Sequence, residues 1–128
     1  MSDRLARILI VDDAEDNRLV VHDWLQGDYD VIDAENGRKA MELLDYYKNS
    51  ISLVLLDISL PEISGYDVLI YLKGQTSLKD IPVIAVTAHA RDQDREKALS
   101  NGFDDFLSKP FRLADLSEKI EKNLKQKA

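Results

Sequence analysis

Asp12 and Asp13 follow the apolar run Ile8-Leu9-Ile10-Val11, and Asp57 follows Leu53-Val54-Leu55-Leu56. Thr87 closes the run Val83-Ile84-Ala85-Val86, and the shorter Phe106-Leu107 leads through Ser108 to Lys109-Pro110. Carboxylates, a hydroxyl and an ammonium, if brought together, suit a divalent cation and a phosphoryl group. Two carboxylates about 4 Å apart repel by roughly 4 kcal/mol at a surface-like dielectric. Three stay together only with a cation or with raised pKa values. Mg²⁺ is the natural cation, because it takes oxygen ligands, keeps several waters and is usually held by one or two carboxylates plus phosphate; Mn²⁺ is the alternative. Taken alone, Asp12-Asp13 also reads as a cap or acidic first turn of the helix that follows.

Groups so far apart in sequence meet only if the fold brings these run ends to one edge. A parallel α/β sheet does so, because its strand ends share a crevice where ligands bind. Ile8 to Val11 reads as a fully buried strand, followed by a helix from about Glu15 to Leu25 carrying Leu19, Val20 and Leu25, with Gly27 ending it. Tyr29 to Ala34 alternates like an edge strand. Asn36-Gly37 is a turn before a helix through Ala40, Leu43, Leu44 and Tyr47. Leu53 to Leu56, the most apolar run, reads as the central strand, and a helix through Val68, Leu69 and Leu72 follows the loop around Pro61 and Gly65. Ile81 to Val86 is a strand entered by Pro82. Arg91 to Ser100 is a charged helix, Phe103 to Leu107 a short strand, and Leu113, Leu116, Ile120 and Leu124 mark a last helix. Five strands alternating with five helices over short connections predict a doubly wound parallel sheet in one domain spanning 1–128, its core about 6–126.

The composition bounds the function. A chain of 128 residues is long enough for one substantial core. A net charge of -7 argues against a general nucleic-acid or anionic-membrane binder, and it fits a protein that concentrates acids around a cation. No cysteine is present, which excludes disulfides and thiolate metal sites. The start Met1-Ser2-Asp3-Arg4 lacks the apolar core of a signal peptide, and no run is long enough to span a bilayer, so a cytoplasmic protein is expected. The five glycines stand apart, at 27, 37, 65, 74 and 102, and form no phosphate-cradling nucleotide loop.

Asp12-Asp13, the stretch Asp57-Ile58-Ser59-Leu60-Pro61-Glu62-Ile63-Ser64-Gly65, Thr87-Ala88 and Lys109-Pro110-Phe111 resemble, in order and each at its own strand end, the receiver domain of bacterial two-component response regulators. The resemblance covers essentially the whole chain, and the 61–65 loop is similar to that of the cell-cycle type of single-domain regulator. It implies a flavodoxin-like (βα)5 fold with strand order 2-1-3-4-5. It makes Asp57 the phosphoryl acceptor from a phosphohistidine on a sensor histidine kinase or phosphotransfer protein, or from a small donor such as acetyl phosphate. Asp13, Asp57 and the backbone carbonyl of Ser59 would coordinate Mg²⁺, and Asp12 would act mainly through metal-bound water. Lys109 would pair with Asp57 and then with the phosphoryl group, aimed by a cis peptide to Pro110. Thr87 would donate its hydroxyl and, with Phe106 in the place of a common tyrosine, report the change. Ser59 and His89 would flank the path of hydrolytic water and tune the phosphoryl lifetime, while His22 reads as structural or partner-facing.

Three alternatives stand beside this reading. A haloacid-dehalogenase-type phosphatase shares the aspartate, Mg²⁺ and lysine, but it places a second aspartate where this chain has Ser59. That difference points to a site that stores a phosphoryl group rather than one that turns over an external substrate. A phosphorelay shuttle would pass the group to another histidine protein, and a pseudo-receiver would bind constitutively. The chain stops where the last helix ends, so output is expected through contact with a downstream target protein, from a monomer or from a dimer formed on phosphorylation. The charged helix has few apolar anchors, Ala98 and Leu99 chief among them. It is therefore expected to move.

Overall fold

Each apolar run forms a strand buried on both faces. The computed structural model describes residues 5–88 and 91–127. In chain order the elements are β1 (Arg7–Val11), α1 (Glu15–Leu25), β2 (Asp30–Ala34), α2 (Gly37–Tyr46), β3 (Ile51–Asp57), α3 (Gly65–Lys73), β4 (Val83–Thr87), α4 (Asp92–Ser100), β5 (Asp105–Ser108) and α5 (Leu113–Lys127). The sheet is parallel, with order β2-β1-β3-β4-β5, the flavodoxin-like order the resemblance implied. β3 is central and β2 lies at an edge.

Alternation along the strands splits the interior in two. Leu9, Val11, Val54, Leu56, Val83, Ala85 and Phe106 face a core closed by Ala40 and Leu44 of α2, Val68, Leu69 and Leu72 of α3, and Ala98 of α4. Ile8, Ile10, Leu53, Leu55, Ile84, Val86 and Leu107 face a second core closed by Val21 and Leu25 of α1 and by Leu116 and Ile120 of α5. Burying each of the Val, Leu, Ile and Phe side chains contributes about 1.5–3 kcal/mol, so a register slip that turned them outward would be heavily penalised.

The strand boundaries depart from the sequence reading where local chemistry intervenes. β4 starts at Val83 rather than Ile81: Pro82 has no N–H, although its carbonyl still accepts from the Val54 N–H at 3.0 Å. β5 starts at Asp105 rather than Phe103. Gly102, at φ 113°, turns the chain back, and the Phe103 N–H closes the end of α4 by donating to the Ala98 carbonyl at 3.2 Å. On α1, Leu19 and Val20 are exposed, and the buried stripe falls instead on Val21 and Leu25, one helical turn apart. α4 carries Ala98 as its one buried residue, with Leu99 half-exposed.

Candidate functional site

β1, β3, β4 and β5 run parallel, so the groups at their C-terminal ends share one edge. Asp57 is the last residue of β3, Thr87 the last of β4, Asp12 follows β1 and Lys109 follows β5. The N-cap of α1 is Ala14, with no side-chain cap bond, so neither Asp12 nor Asp13 occupies the capping position. Asp12 and Asp57 are buried, with 6% and 5% of their surface exposed, whereas Asp13 is exposed. One carboxylate oxygen of each of Asp12, Asp13 and Asp57 lies within 4.8 Å of the others.

The two buried carboxylates are compensated by Lys109, whose Nζ donates to Asp12 Oδ2 at 2.8 Å and Asp57 Oδ2 at 2.9 Å. The pairing with Asp12 was not legible in the sequence. Burial alone would pull the Lys109 ammonium down, but its hydrogen bonds to Asp12 and Asp57 outweigh this and hold its pKa above the usual lysine value. The Lys109–Pro110 peptide is cis, and the Lys109 N–H donates to the Thr87 carbonyl at 2.8 Å. The second oxygen of Asp57, Oδ1, accepts from the Ser59 N–H at 2.8 Å, so a charge-assisted bond holds each oxygen.

Thr87 is buried at the edge and pairs in register with Ser108 of β5. Phe106 is already buried, among the side chains on the α2, α3 and α4 side. His22 lies in the exposed part of α1. His89 lies outside the described residues.

Two residues that serve the site were missed. Arg18 of α1 reaches back to donate to the Asp12 carbonyl at 2.8 Å, although it reads in sequence as an ordinary charged helix residue. Gly65 reads as a loop breaker and as the end of the stretch that carries the resemblance, with no role at the acceptor, yet a Cβ there would run into the Asp57 carbonyl and come within 2.7 Å of Ile58 Cα. Its N–H donates to the Ile58 carbonyl at 3.0 Å, which folds the loop back under the acceptor. Its position eight residues after Asp57 was the available signal. A cavity of about 350 Å³ opens beside Asp12 and Lys109, walled by Val20, Trp24 and Phe111 among others.

The family model for the response regulator receiver domain matches residues 8–121. The chain belongs to that family. Receiver domains act in two-component signalling, and this one has bacterial relatives. It is 36% identical over 118 residues to the polar-differentiation response regulator DivK of Brucella anthropi, covering 91% of this chain and 94% of DivK. The crystal structure of a response regulator receiver domain from Clostridium thermocellum matches with TM-score 0.87 at 29% identity, covering 96% of this chain and 97% of that one. The chemotaxis protein CheY4 of Vibrio cholerae, at 24% identity and TM-score 0.85, shares the fold, over 92% of this chain and 98% of CheY4.

Receiver domains bind Mg²⁺ at an acidic pocket, and the donor set here fits that ion. It offers oxygen ligands only, clustered, at an edge where an exposed carboxylate meets two buried ones. Among the described residues no helix is long and apolar enough to cross a membrane.

Proposed function

We propose that this receiver domain accepts a phosphoryl group on Asp57 from a phosphohistidine and signals by a change in its protein contacts. The observation that carries this reading is the setting of Asp57. It is buried, held by Lys109 at 2.9 Å and by the Ser59 N–H at 2.8 Å, with carboxylate oxygens of Asp12 and Asp13 within 4.8 Å.

In the reaction an Asp57 oxygen forms a bond to phosphorus as the donor's P–N bond breaks, and the electron pair leaves with the imidazole nitrogen. Such transfers depend mainly on positioning and charge neutralisation. Bound through Asp13, Asp57 and the Ser59 carbonyl, with Asp12 acting through water, Mg²⁺ would supply positive charge to the phosphoryl oxygens. Lys109 turns from Asp57 to a phosphoryl oxygen and leaves its second bond to Asp12 in place. The Thr87 hydroxyl donates to another oxygen, and Phe106, on the neighbouring strand, follows it. Ser59 carries no carboxyl group to activate water or protonate a leaving group, which favours storage of the phosphoryl group over its turnover.

Exposed Leu19 and Val20 of α1, with the cavity walled by Trp24 and Phe111, form an apolar surface beside the acidic edge. This surface suits a histidine-bearing kinase or phosphotransfer helix that must cover Asp57. α4, with its single buried anchor, offers the responsive face to a downstream target.

The test is to incubate the protein with Mg²⁺ and acetyl phosphate and to measure its intact mass. One phosphoryl adduct is expected, absent in Asp57→Asn, and beryllium fluoride should compete for the same site. An adduct that survives in Asp57→Asn, or none in the wild type, overturns the reading.

A further inference from the structure

Asp13 is the exposed member of the acidic cluster, and among the described residues none hydrogen-bonds its carboxylate. Asp12 is different: its carboxylate accepts from the Ala14 N–H at 2.9 Å and from Lys109 at 2.8 Å. Whatever fixes Asp13 must therefore act through the backbone, at the peptide joining it to Asp12. Two bonds fix the chain there. The Asp12 N–H, on the preceding peptide, donates to the Ala34 carbonyl of β2 at 3.1 Å, and Arg18 Nη1 of α1 donates to the carbonyl of the Asp12–Asp13 peptide itself at 2.8 Å. Arg18 is in turn held by Asp33, also on β2, whose Oδ2 accepts from Arg18 Nε at 2.9 Å. The Arg18 side chain is only 13% exposed, while that of Asp33 is 45% exposed. One planar fork thus ties three elements, α1, the end of β1 and β2, around a single carbonyl.

We propose that Arg18 is a positioning residue for the metal site, fixing the Asp12–Asp13 peptide so that Asp13 faces the cation. The inference rests on the reading of Asp13 as a metal ligand. Arg18 touches neither metal nor phosphoryl group. Its charge alone works against the site, because a guanidinium close to a bound cation repels it. Asp33 offsets part of that repulsion and sets the side chain's reach. The two roles have opposite signs. If Arg18 is only a nearby charge, its removal tightens Mg²⁺ binding; if it positions Asp13, its removal weakens binding.

The test is a calorimetric Mg²⁺ titration of the wild type, Arg18→Ala, Arg18→Lys and Asp33→Asn, with each fold checked by circular dichroism. Arg18→Ala should bind at least tenfold more weakly, despite the loss of a positive charge. Arg18→Lys should fall between it and the wild type, because an ammonium keeps the charge but cannot bridge both oxygens in the fork geometry. Asp33→Asn, at an exposed position, should weaken binding by about threefold. In metal-free protein, amide exchange at Ala14, which donates to Asp12, should accelerate in Arg18→Ala. An Arg18→Ala protein that folds and binds Mg²⁺ as tightly as the wild type, or more tightly, overturns the proposal. If Arg18→Ala does not fold, unchanged affinity in Asp33→Asn does the same. A wild type that binds no Mg²⁺ removes the metal-site reading itself, whereas normal binding in every variant removes only the role of Arg18.

Discussion

Lys109 carries two duties that oppose each other. Its ammonium compensates Asp12 and Asp57 at 2.8 and 2.9 Å, and in the same place it competes with any cation for those oxygens. Lys109→Ala should therefore bind Mg²⁺ several-fold more tightly by calorimetry. Phosphoryl acceptance from acetyl phosphate, followed by mass spectrometry, should slow by about a hundredfold, the usual effect of losing one preorganised donor to developing charge. A second lysine–aspartate group lies away from the site. Asp105 is buried, its Oδ1 accepting from the Phe106 N–H at 2.8 Å and from Lys119 at 3.1 Å, and its Oδ2 from Asn123 at 3.0 Å. Burial pushes the Asp105 carboxyl up, but the bonds from Phe106, Asn123 and Lys119 prevail and hold its pKa below the usual aspartate value. A carboxyl depressed on folding stabilises the protein above its unfolded pKa, near 3.8, and loses that contribution as pH falls through the folded value. Asp105→Asn should thus cost about 2 kcal/mol at pH 7 in urea unfolding, with the gap to wild type narrowing as pH falls below 4. An equal gap at pH 7 and pH 3 would assign the loss to packing instead of charge.

At the level of elements, the loop between β3 and α3 is shaped by contact rather than by turn chemistry. Gly65 begins α3 with its Cα against the backbone of Asp57 and Ile58, and Ile63 fills the space over Gly37 at the start of α2. Gly65→Ala should lower stability by about 1–3 kcal/mol, the usual cost of overpacking, and should also slow phosphorylation because the strain falls on the acceptor's own peptide. α4 behaves differently. With Ala98 as its buried anchor, its amides should exchange faster than those of α3, which buries Val68, Leu69 and Leu72. Beryllium fluoride should change exchange in α4 more than in α1. The strands and the residues at their ends were legible because apolar runs punctuated by polar residues are a local pattern, whereas the strand order came from the resemblance to receiver domains. Arg18 at the Asp12 carbonyl, Lys109 shared with Asp12, Gly65 under Asp57 and the Asp105–Asn123 bond were not. Each depends on the distance between two elements after packing, which residue type does not encode; only Gly65 left a trace, in its spacing from Asp57. The same limit explains Leu19 and Val20, which are apolar and at helical spacing, yet exposed because α1 turns Val21 and Leu25 to the sheet.

For the molecule as a whole, a net charge of -7 with three acids at one edge predicts that stability rises with divalent cation. Any Mg²⁺ bound only by the folded state adds about 2.7 kcal/mol at a hundred times its Kd. The Tm should rise by several degrees in saturating Mg²⁺, and Asp13→Asn should flatten that rise in a calorimetric melt. The sheet also divides the interior, with α2, α3 and α4 closing one core and α1 and α5 the other. Neighbouring residues of β5 illustrate the split: Phe106 belongs to the first core and Leu107 to the second. A single layer of backbone therefore insulates the surface beside α1 from the one around α4. Substitutions that retune recognition on one side should leave the other nearly untouched, so a lineage could exchange its upstream correspondent without relearning its downstream one.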